Sequence, residues 1–154
     1  MNMHPEEKLR ELNFVLPQLA SPRGSFAPCV VSDRLLYLSG KGAPLREGGG
    51  SVPKVGAEVS VDEAHAYARD VALHLLAVIR DTLGDLARVK RIVKVFGMVN
   101  ATPDFRGHTE VINGCSDLLV AVFGERGVHA RSAIGVGSLP KGFAVEIEAI
   151  VEFE

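Results

Sequence analysis

The sequence predicts an α+β domain in which two helices cover one face of a mixed β-sheet. Segments typical of strands and helices follow one another as strand, strand, helix, strand, helix, strand and strand, after a short N-terminal helix. Both long helices carry one apolar stripe, and the last strand alternates between apolar and charged residues. Two helices are too few to cover both faces of this sheet, so we expect a partner, most simply a second copy of the chain, on the other face.

The composition is typical of one globular domain and argues against several function classes. The 154 residues are 47% hydrophobic and 23% charged, and the net charge of -2 argues against a broadly basic surface for nucleic acid. No apolar run approaches the ~20 residues that span a membrane, and the acidic start does not resemble a signal peptide. Cys29 and Cys115 lie in separate segments without metal-binding spacing, so we expect reduced thiols in a cytoplasmic protein.

The first elements are predicted from short apolar runs and turn residues. Residues 1–24 are expected to form an N-terminal helix, over Pro5 to Asn13, and a loop, and residues 25–154 a single domain. Cys29 to Val31 and Leu35 to Leu38 are predicted to form two strands of a hairpin. A long loop follows with Gly48 to Gly50 at its tip, but the spacing of a phosphate-binding loop is absent, which leaves its role open.

The middle of the chain predicts a helix, a strand and a second helix. Ser60 begins a capping box, and Gly84 is placed to end that helix. Val89 to Val99 is predicted to form a strand, and its pairs Ile92-Val93 and Val95-Phe96 are apolar on both faces, which is typical of a central strand covered on both sides. Thr102 to Asp104 is predicted to begin the second helix, with proline at its first position, and Gly124 to end it.

The C-terminal segment predicts two strands joined by a tight turn at Leu139 to Gly142. In the second strand apolar residues alternate with glutamates, namely Glu146, Glu148, Glu152 and Glu154. In the first strand Arg131 shares a face with Ala133, Gly135 and Gly137, a row of very small residues. Arg131 begins a strand face that otherwise carries only very small residues, and the neighbouring strand carries carboxylates. This arrangement predicts either a small-anion site or a tight packing surface.

These residues resemble a known family. The runs from Ala130 to Ala133, Leu139 to Lys141 and Val145 to Ala149 resemble the C-terminal signature of the YjgF/Rid family, which comprises reactive-intermediate deaminases also called L-PSP endoribonucleases. Weaker similarity extends the resemblance over about residues 25–153, and the sequence at 99–117 is similar to a divergent branch. The resemblance implies a chorismate-mutase-like fold and a homotrimer with a central barrel and clefts at the subunit interfaces.

The resemblance also implies an activity and two catalytic residues. The activity is hydrolysis of small enamines and imines, such as 2-aminoacrylate, to 2-keto acids and ammonia, without a metal or an organic cofactor. The arginine that binds the substrate carboxylate falls on Arg131, and the carboxylate that positions water falls on Glu146. An asparagine of the family's second helix has no clear counterpart here, and Thr109 and Asn113 both lie near its position.

Four substrate-binding positions are implied beside them. Ser39 and Gly40 match the segment whose backbone lines the pocket. Ala133 stands where the family has a cysteine, so only its backbone N–H can serve, and Phe26 stands where the family has a tyrosine. Both replacements raise questions about which substrate is bound.

Two other functions are consistent with the same sequence. The first is a non-catalytic trimer that binds a small keto or imino acid in the same cleft. The second is RNA cleavage, which ranks third because Lys90, Arg91 and Lys94 form only a small basic cluster and the chain has no tryptophan and two tyrosines. His129 is a further candidate for lining the cleft.

Overall fold

Five strands and three α-helices form the fold of the residues that the computed structural model describes, which are 3–21, 24–43 and 53–154. The predicted α+β class is confirmed, and the glycine-rich loop at 48–50 lies outside the described residues. In chain order the elements are α1 (Pro5–Glu11), β1 (Cys29–Ser32), β2 (Leu35–Gly42), α2 (Val61–Leu83), β3 (Val89–Asn100), α3 (His108–Phe123), β4 (Ala130–Val136) and β5 (Val145–Phe153).

The strands form one mixed sheet in the order β1-β2-β5-β3-β4. β4 runs parallel to β3, and the other neighbouring pairs are antiparallel. The prediction that β4 and β5, the two strands joined by the turn, are neighbours in the sheet is therefore wrong, because β3 lies between them. The turn itself exists, since the amide of Gly142 donates to the carbonyl of Leu139 at 3.0 Å. The connection instead crosses the end of β3, where the amide of Asn100 donates to the carbonyl of Ala144 at 2.9 Å.

The alternation predicted for β5 is confirmed. Its apolar residues, Val145, Ile147, Ala149 and Val151, are all buried in the core that α2 and α3 cover. Its glutamates project from the opposite face of the sheet. Leu9 of α1 is 3% exposed and belongs to the same core cluster as these strands.

The long helix α2 has the termini that the sequence predicts. The amide of Glu63 donates to Oγ of Ser60 at 3.1 Å, and Gly84 ends the helix with φ of 83°. The contact at Ser60 satisfies an amide that has no partner inside the helix, and the left-handed conformation of Gly84 ends the helix.

The predicted start of α3 is wrong. α3 begins at His108, after an N-cap at Gly107 that makes no side-chain hydrogen bond. The amide of Thr102 instead donates to the carbonyl of Val55 at 3.1 Å, and the amide of Phe105 donates to the carbonyl of Thr102 at 3.1 Å, which closes a turn where the sequence predicts a helix. The competing backbone partner lies 47 residues away in the sequence, so a local cap signal could not reveal it.

The face of the sheet opposite the helices is uncovered within one chain. Its apolar side chains include Val30, Tyr37 and Ile134, which are 57%, 45% and 42% exposed. β3 lies between β5 and β4, as its apolar sequence predicts, but only its helix-facing side is covered. None of the helices in the described ranges has the length and hydropathy needed to span a lipid bilayer.

Candidate functional site

Arg131 is held by two side chains of α3. Its Nη1 donates to Oδ1 of Asn113 at 2.8 Å and to Oγ of Ser116 at 3.0 Å. In the β3–β4 register Arg131 lies opposite the buried Val95, so its side chain projects toward the helices at the edge of the sheet. The structure thus selects Asn113 over Thr109 as the helix residue that contacts the arginine.

The two contacts use both hydrogens of Nη1 and leave the rest of the guanidinium without a partner. Within the described residues, Nε and Nη2 of Arg131 make no hydrogen bond or ion pair. This edge of a guanidinium carries the parallel pair of N–H groups that matches the two oxygens of a carboxylate. Arg131 is therefore oriented from one side, and its other side is able to bind an anion.

Glu146 lies on the opposite face of the sheet from Arg131. It pairs with Met98 of β3, whereas Arg131 pairs with Val95, and residues an odd number apart along a strand face opposite ways. The Cα atoms of Arg131 and Glu146 are about 14 Å apart, because they are separated by two strand-to-strand spacings and by three residues along the strand direction. One chain does not bring Arg131 and Glu146 into contact, and the prediction that the carboxylates lie on the strand next to Arg131 is wrong.

Glu146 lies beside Gly40, as the proposed pocket requires. A Cβ on Gly40 would come within 2.9 Å of Oε2 of Glu146, so the glycine allows the carboxylate to approach the backbone. Burial, and after it the negative charge of Glu148, raises the pKa of Glu146 above its ordinary value. A raised pKa suits a carboxylate that accepts a proton from water near neutral pH.

Ser39 connects this segment to the loop that carries Phe26. Its Oγ donates to the carbonyl of Ala27 at 2.6 Å and its amide to the carbonyl of Pro28 at 3.0 Å. A bulge in the pairing of β2 with β5 falls between Leu38 and Lys41 and includes both Ser39 and Gly40. Phe26 is 64% exposed, so its ring contributes little to the core of this chain.

The row of small residues that begins at Arg131 contacts α3 only in part. A Cβ on Gly135 would lie 2.6 Å from Nε2 of His108, and one on Gly97 of the neighbouring strand would lie 2.6 Å from Cδ1 of Ile112. Ala133 is half-buried on the same face and packs against the core. Tight packing therefore holds for Gly97 and Gly135, whereas Gly137 is open, since a Cβ there would meet nothing within 4 Å.

Two side chains next to Arg131 were missed or only partly recognised from the sequence. Nε2 of His129 lies 2.9 Å from Oγ of Ser116, and Nδ1 of the same ring lies 2.6 Å from the carbonyl oxygen of Gly127. Ser116 follows Asn113 by three positions on α3, a spacing that places both on one helix face. That spacing could have pointed to Ser116 once Asn113 was known to face Arg131.

The described residues offer little support for a metal site or for a broad RNA-binding surface. The described residues contain no group of three or more histidine, cysteine, aspartate or glutamate side chains that could hold a metal ion. In the basic cluster, Nζ of Lys90 is paired with Oε1 of Glu152 at 2.9 Å, and Arg91 lies opposite Glu152 in the β3–β5 register. The cationic surface available to RNA is smaller than the sequence suggests.

Comparisons with known proteins agree with this fold. The chain is 43% identical to Protein TCP17 of Trypanosoma cruzi over 94% of its own length and 91% of that protein. It is 40% identical to Atu1372 of Agrobacterium tumefaciens, a protein of unknown function, with a TM-score of 0.86 over 97% of this chain and 92% of that one.

A more distant solved structure is RidA from the Antarctic bacterium Psychrobacter, with 26% identity and a TM-score of 0.56 over 86% of this chain and 92% of that one. Residues 6–144 match the family described as "YjgF/chorismate mutase-like, putative endoribonuclease". The family match over residues 6–144 and the 43% identity to Protein TCP17 show that the chain belongs to the YjgF/chorismate-mutase-like family.

Proposed function

We propose that the protein hydrolyses small 2-imino and enamine acids to 2-keto acids and ammonia in a cleft between subunits. The observation that supports this most directly is the orientation of Arg131, whose Nη1 is held by Asn113 and Ser116 while the Nε–Nη2 edge has no partner among the described residues. That edge suits a substrate carboxylate. Membership of a family that includes RidA gives the same reaction class further support.

The proposed site is composite. Arg131 and Ala133 face the helices, and Gly40 and Glu146 lie on or beside the opposite face, so a substrate that contacts both sets needs two subunits. The uncovered apolar face of the sheet is suited to burial in such an assembly. We propose a homotrimer with one cleft at each interface, in the reducing cytoplasm.

In the proposed reaction Arg131 binds the carboxylate, and the backbone N–H groups of Gly40 and Ala133 support it. An enamine such as 2-aminoacrylate first gains a proton from solvent at its terminal carbon and becomes the iminium form of the 2-imino acid. Glu146 orients a water molecule and accepts its proton as the oxygen attacks the iminium carbon, which gives a neutral carbinolamine. Glu146 returns this proton to the nitrogen, and the hydroxyl loses its proton to solvent as the C–N bond breaks, which releases ammonia and the 2-keto acid. Phe26 supplies an apolar wall, and Ser39 holds its loop against β2.

The pH dependence of this reaction is expected to respond to Glu148. Glu146 must be ionised to accept a proton, so kcat/KM should rise with pH as Glu146 loses its proton. The Glu148→Gln variant removes the neighbouring negative charge that helps to raise the pKa of Glu146, and the rising limb of the profile should move to lower pH. Glu152→Gln, whose carboxylate is paired with Lys90, is the control and should leave the limb in place. An unchanged limb in Glu148→Gln would argue against Glu146 as the base.

The activity is tested by generating 2-aminoacrylate with a dehydratase and following the release of pyruvate and ammonia. We expect the protein to accelerate both at equal rates. Saturable pyruvate binding without acceleration would favour the non-catalytic trimer. Cleavage of RNA that persists in high salt, with no release of ammonia, would favour the endoribonuclease.

A further inference from the structure

The hydroxyl of Ser116, which is hydrogen-bonded to Arg131, can both accept and donate a hydrogen bond. The hydroxyl oxygen of Ser116 accepts a hydrogen bond from Nη1 of Arg131 at 3.0 Å, and this bond occupies one of its lone pairs. Its own proton needs another acceptor, because it cannot point at the guanidinium, which carries only donors. Nε2 of His129, at 2.9 Å, lies where that acceptor is required.

The ring of His129 is fixed in the tautomer that can accept this proton. Nδ1 lies 2.6 Å from the carbonyl oxygen of Gly127, and a carbonyl only accepts, so Nδ1 carries the hydrogen. In the neutral ring Nε2 is then an acceptor. Burial, and to a smaller degree the charge of Arg131, lowers the pKa of His129, which favours the neutral ring near pH 7.

The hydrogen bonds therefore run in one direction. Arg131 donates to Ser116, Ser116 donates to His129, and His129 donates to the carbonyl of Gly127. Each bond in such a chain polarises the next, and a bond from a charged donor is stronger than a neutral one.

We propose that Ser116 and His129 are positioning residues that hold Arg131 in the orientation required for carboxylate binding, an inference that rests on the proposed function of Arg131. His129 acts through Ser116 and does not touch the substrate. Loss of either residue should weaken binding of a carboxylate more than it slows the chemical step, because the guanidinium becomes mobile while Glu146 is unaffected.

The two amide replacements of His129 separate a positioning role from a general structural one. His129→Gln places an amide oxygen at the distance of Nε2 and keeps an acceptor for Ser116. His129→Asn places an amide nitrogen at the distance of Nδ1 and keeps only the bond to Gly127. Ser116→Ala removes the acceptor of Arg131 directly. His65→Leu is the matched control, because Nδ1 of His65 also lies 2.9 Å from a backbone carbonyl, that of Glu110, and no hydrogen bond of the described residues joins His65 to Arg131.

We expect His129→Asn and Ser116→Ala to raise KM for 2-aminoacrylate and Kd for pyruvate about tenfold, with kcat within about twofold of the unmodified protein. His129→Gln and His65→Leu should retain the original values. The double variant Ser116→Ala/His129→Asn should be no worse than Ser116→Ala, because His129 acts through Ser116. Equal losses in the Gln and Asn variants, or additive losses in the double variant, would overturn the proposal.

A ligand-free measurement keeps this inference separate from the proposed function. The ¹⁵N relaxation of Nε of Arg131 should report an ordered side chain in the unmodified protein and in His129→Gln, and a mobile one in His129→Asn and Ser116→Ala. If the unmodified protein neither binds pyruvate nor releases ammonia, the proposed function fails, and this relaxation still decides the positioning role. An equally ordered Arg131 in all variants would refute it.

Discussion

Arg131→Ala is expected to lower kcat/KM for 2-aminoacrylate by at least about 100-fold, because the variant loses a bidentate, charge-assisted contact with the carboxylate. Arg131→Lys should recover only a small part of the activity, since an ammonium is a point charge and cannot reproduce the parallel Nε–Nη2 donors. Arg131 lies on the edge strand β4, and its hydrogen bonds within the described residues go only to Asn113 and Ser116 of α3, so the fold and the oligomer should persist.

The measurement is steady-state release of pyruvate and ammonia, with the oligomeric state checked by native mass spectrometry. Arg80→Ala is the matched control, because Arg80 is exposed near the end of α2, away from β4. An Arg131→Ala protein that assembles normally and retains its turnover would show that the carboxylate is not bound by this arginine.

Gly114→Ala is expected to cause the largest loss of stability among single methyl additions to the helices. A Cβ at this position would lie 2.0 Å from the carbonyl oxygen of His65 in α2, and this is a backbone atom that cannot rotate away. The helices α2 and α3 must separate to admit the methyl group. The cost exceeds the gain of about 1 kcal/mol from replacing a helical glycine by alanine, and we expect a net loss of at least about 2 kcal/mol.

Thermal unfolding followed by circular dichroism measures this loss. At about 2–4 °C per kcal/mol for a chain of this length, Tm should fall by at least about 4 °C. Gly137→Ala is the control, because a Cβ there would meet nothing within 4 Å, and its Tm should stay within about 1 °C of the original. Equal Tm values for the two variants would show that the close approach of α2 and α3 does not limit stability.

Single helices and strands of this fold were predictable from the sequence, but the order of the strands in the sheet was not. The alternation in β5 and the caps at Ser60 and Gly84 depend on contacts within a few residues, and these predictions are confirmed. The pairing of β4 with β3 depends on how the segment between Val136 and Val145 crosses the end of β3. Alternation specifies which face of a strand is buried, but it does not specify which strand lies beside it.

The candidate site was only partly predictable for the same reason. The resemblance to the family supplied Arg131 and Glu146, but only the sheet order shows that they face opposite ways in one chain. Thr109 and Asn113 are four positions apart and share a helix face, so the sequence could not choose between them. Ser116 and His129 meet through tertiary packing between α3 and the start of β4, which has no local signal.

Mixing two inactive variants tests the composite site most directly. The Arg131→Ala variant keeps Glu146, and the Glu146→Gln variant keeps Arg131. Each variant by itself should have less than about 1% of the original activity. In trimers assembled from equal amounts of both, about a quarter of the interfaces should combine an intact Arg131 from one subunit with an intact Glu146 from its neighbour. We therefore predict recovery of about a quarter of the original activity. Mixed trimers, verified by native mass spectrometry, that remain as inactive as either parent would contradict a site shared between subunits.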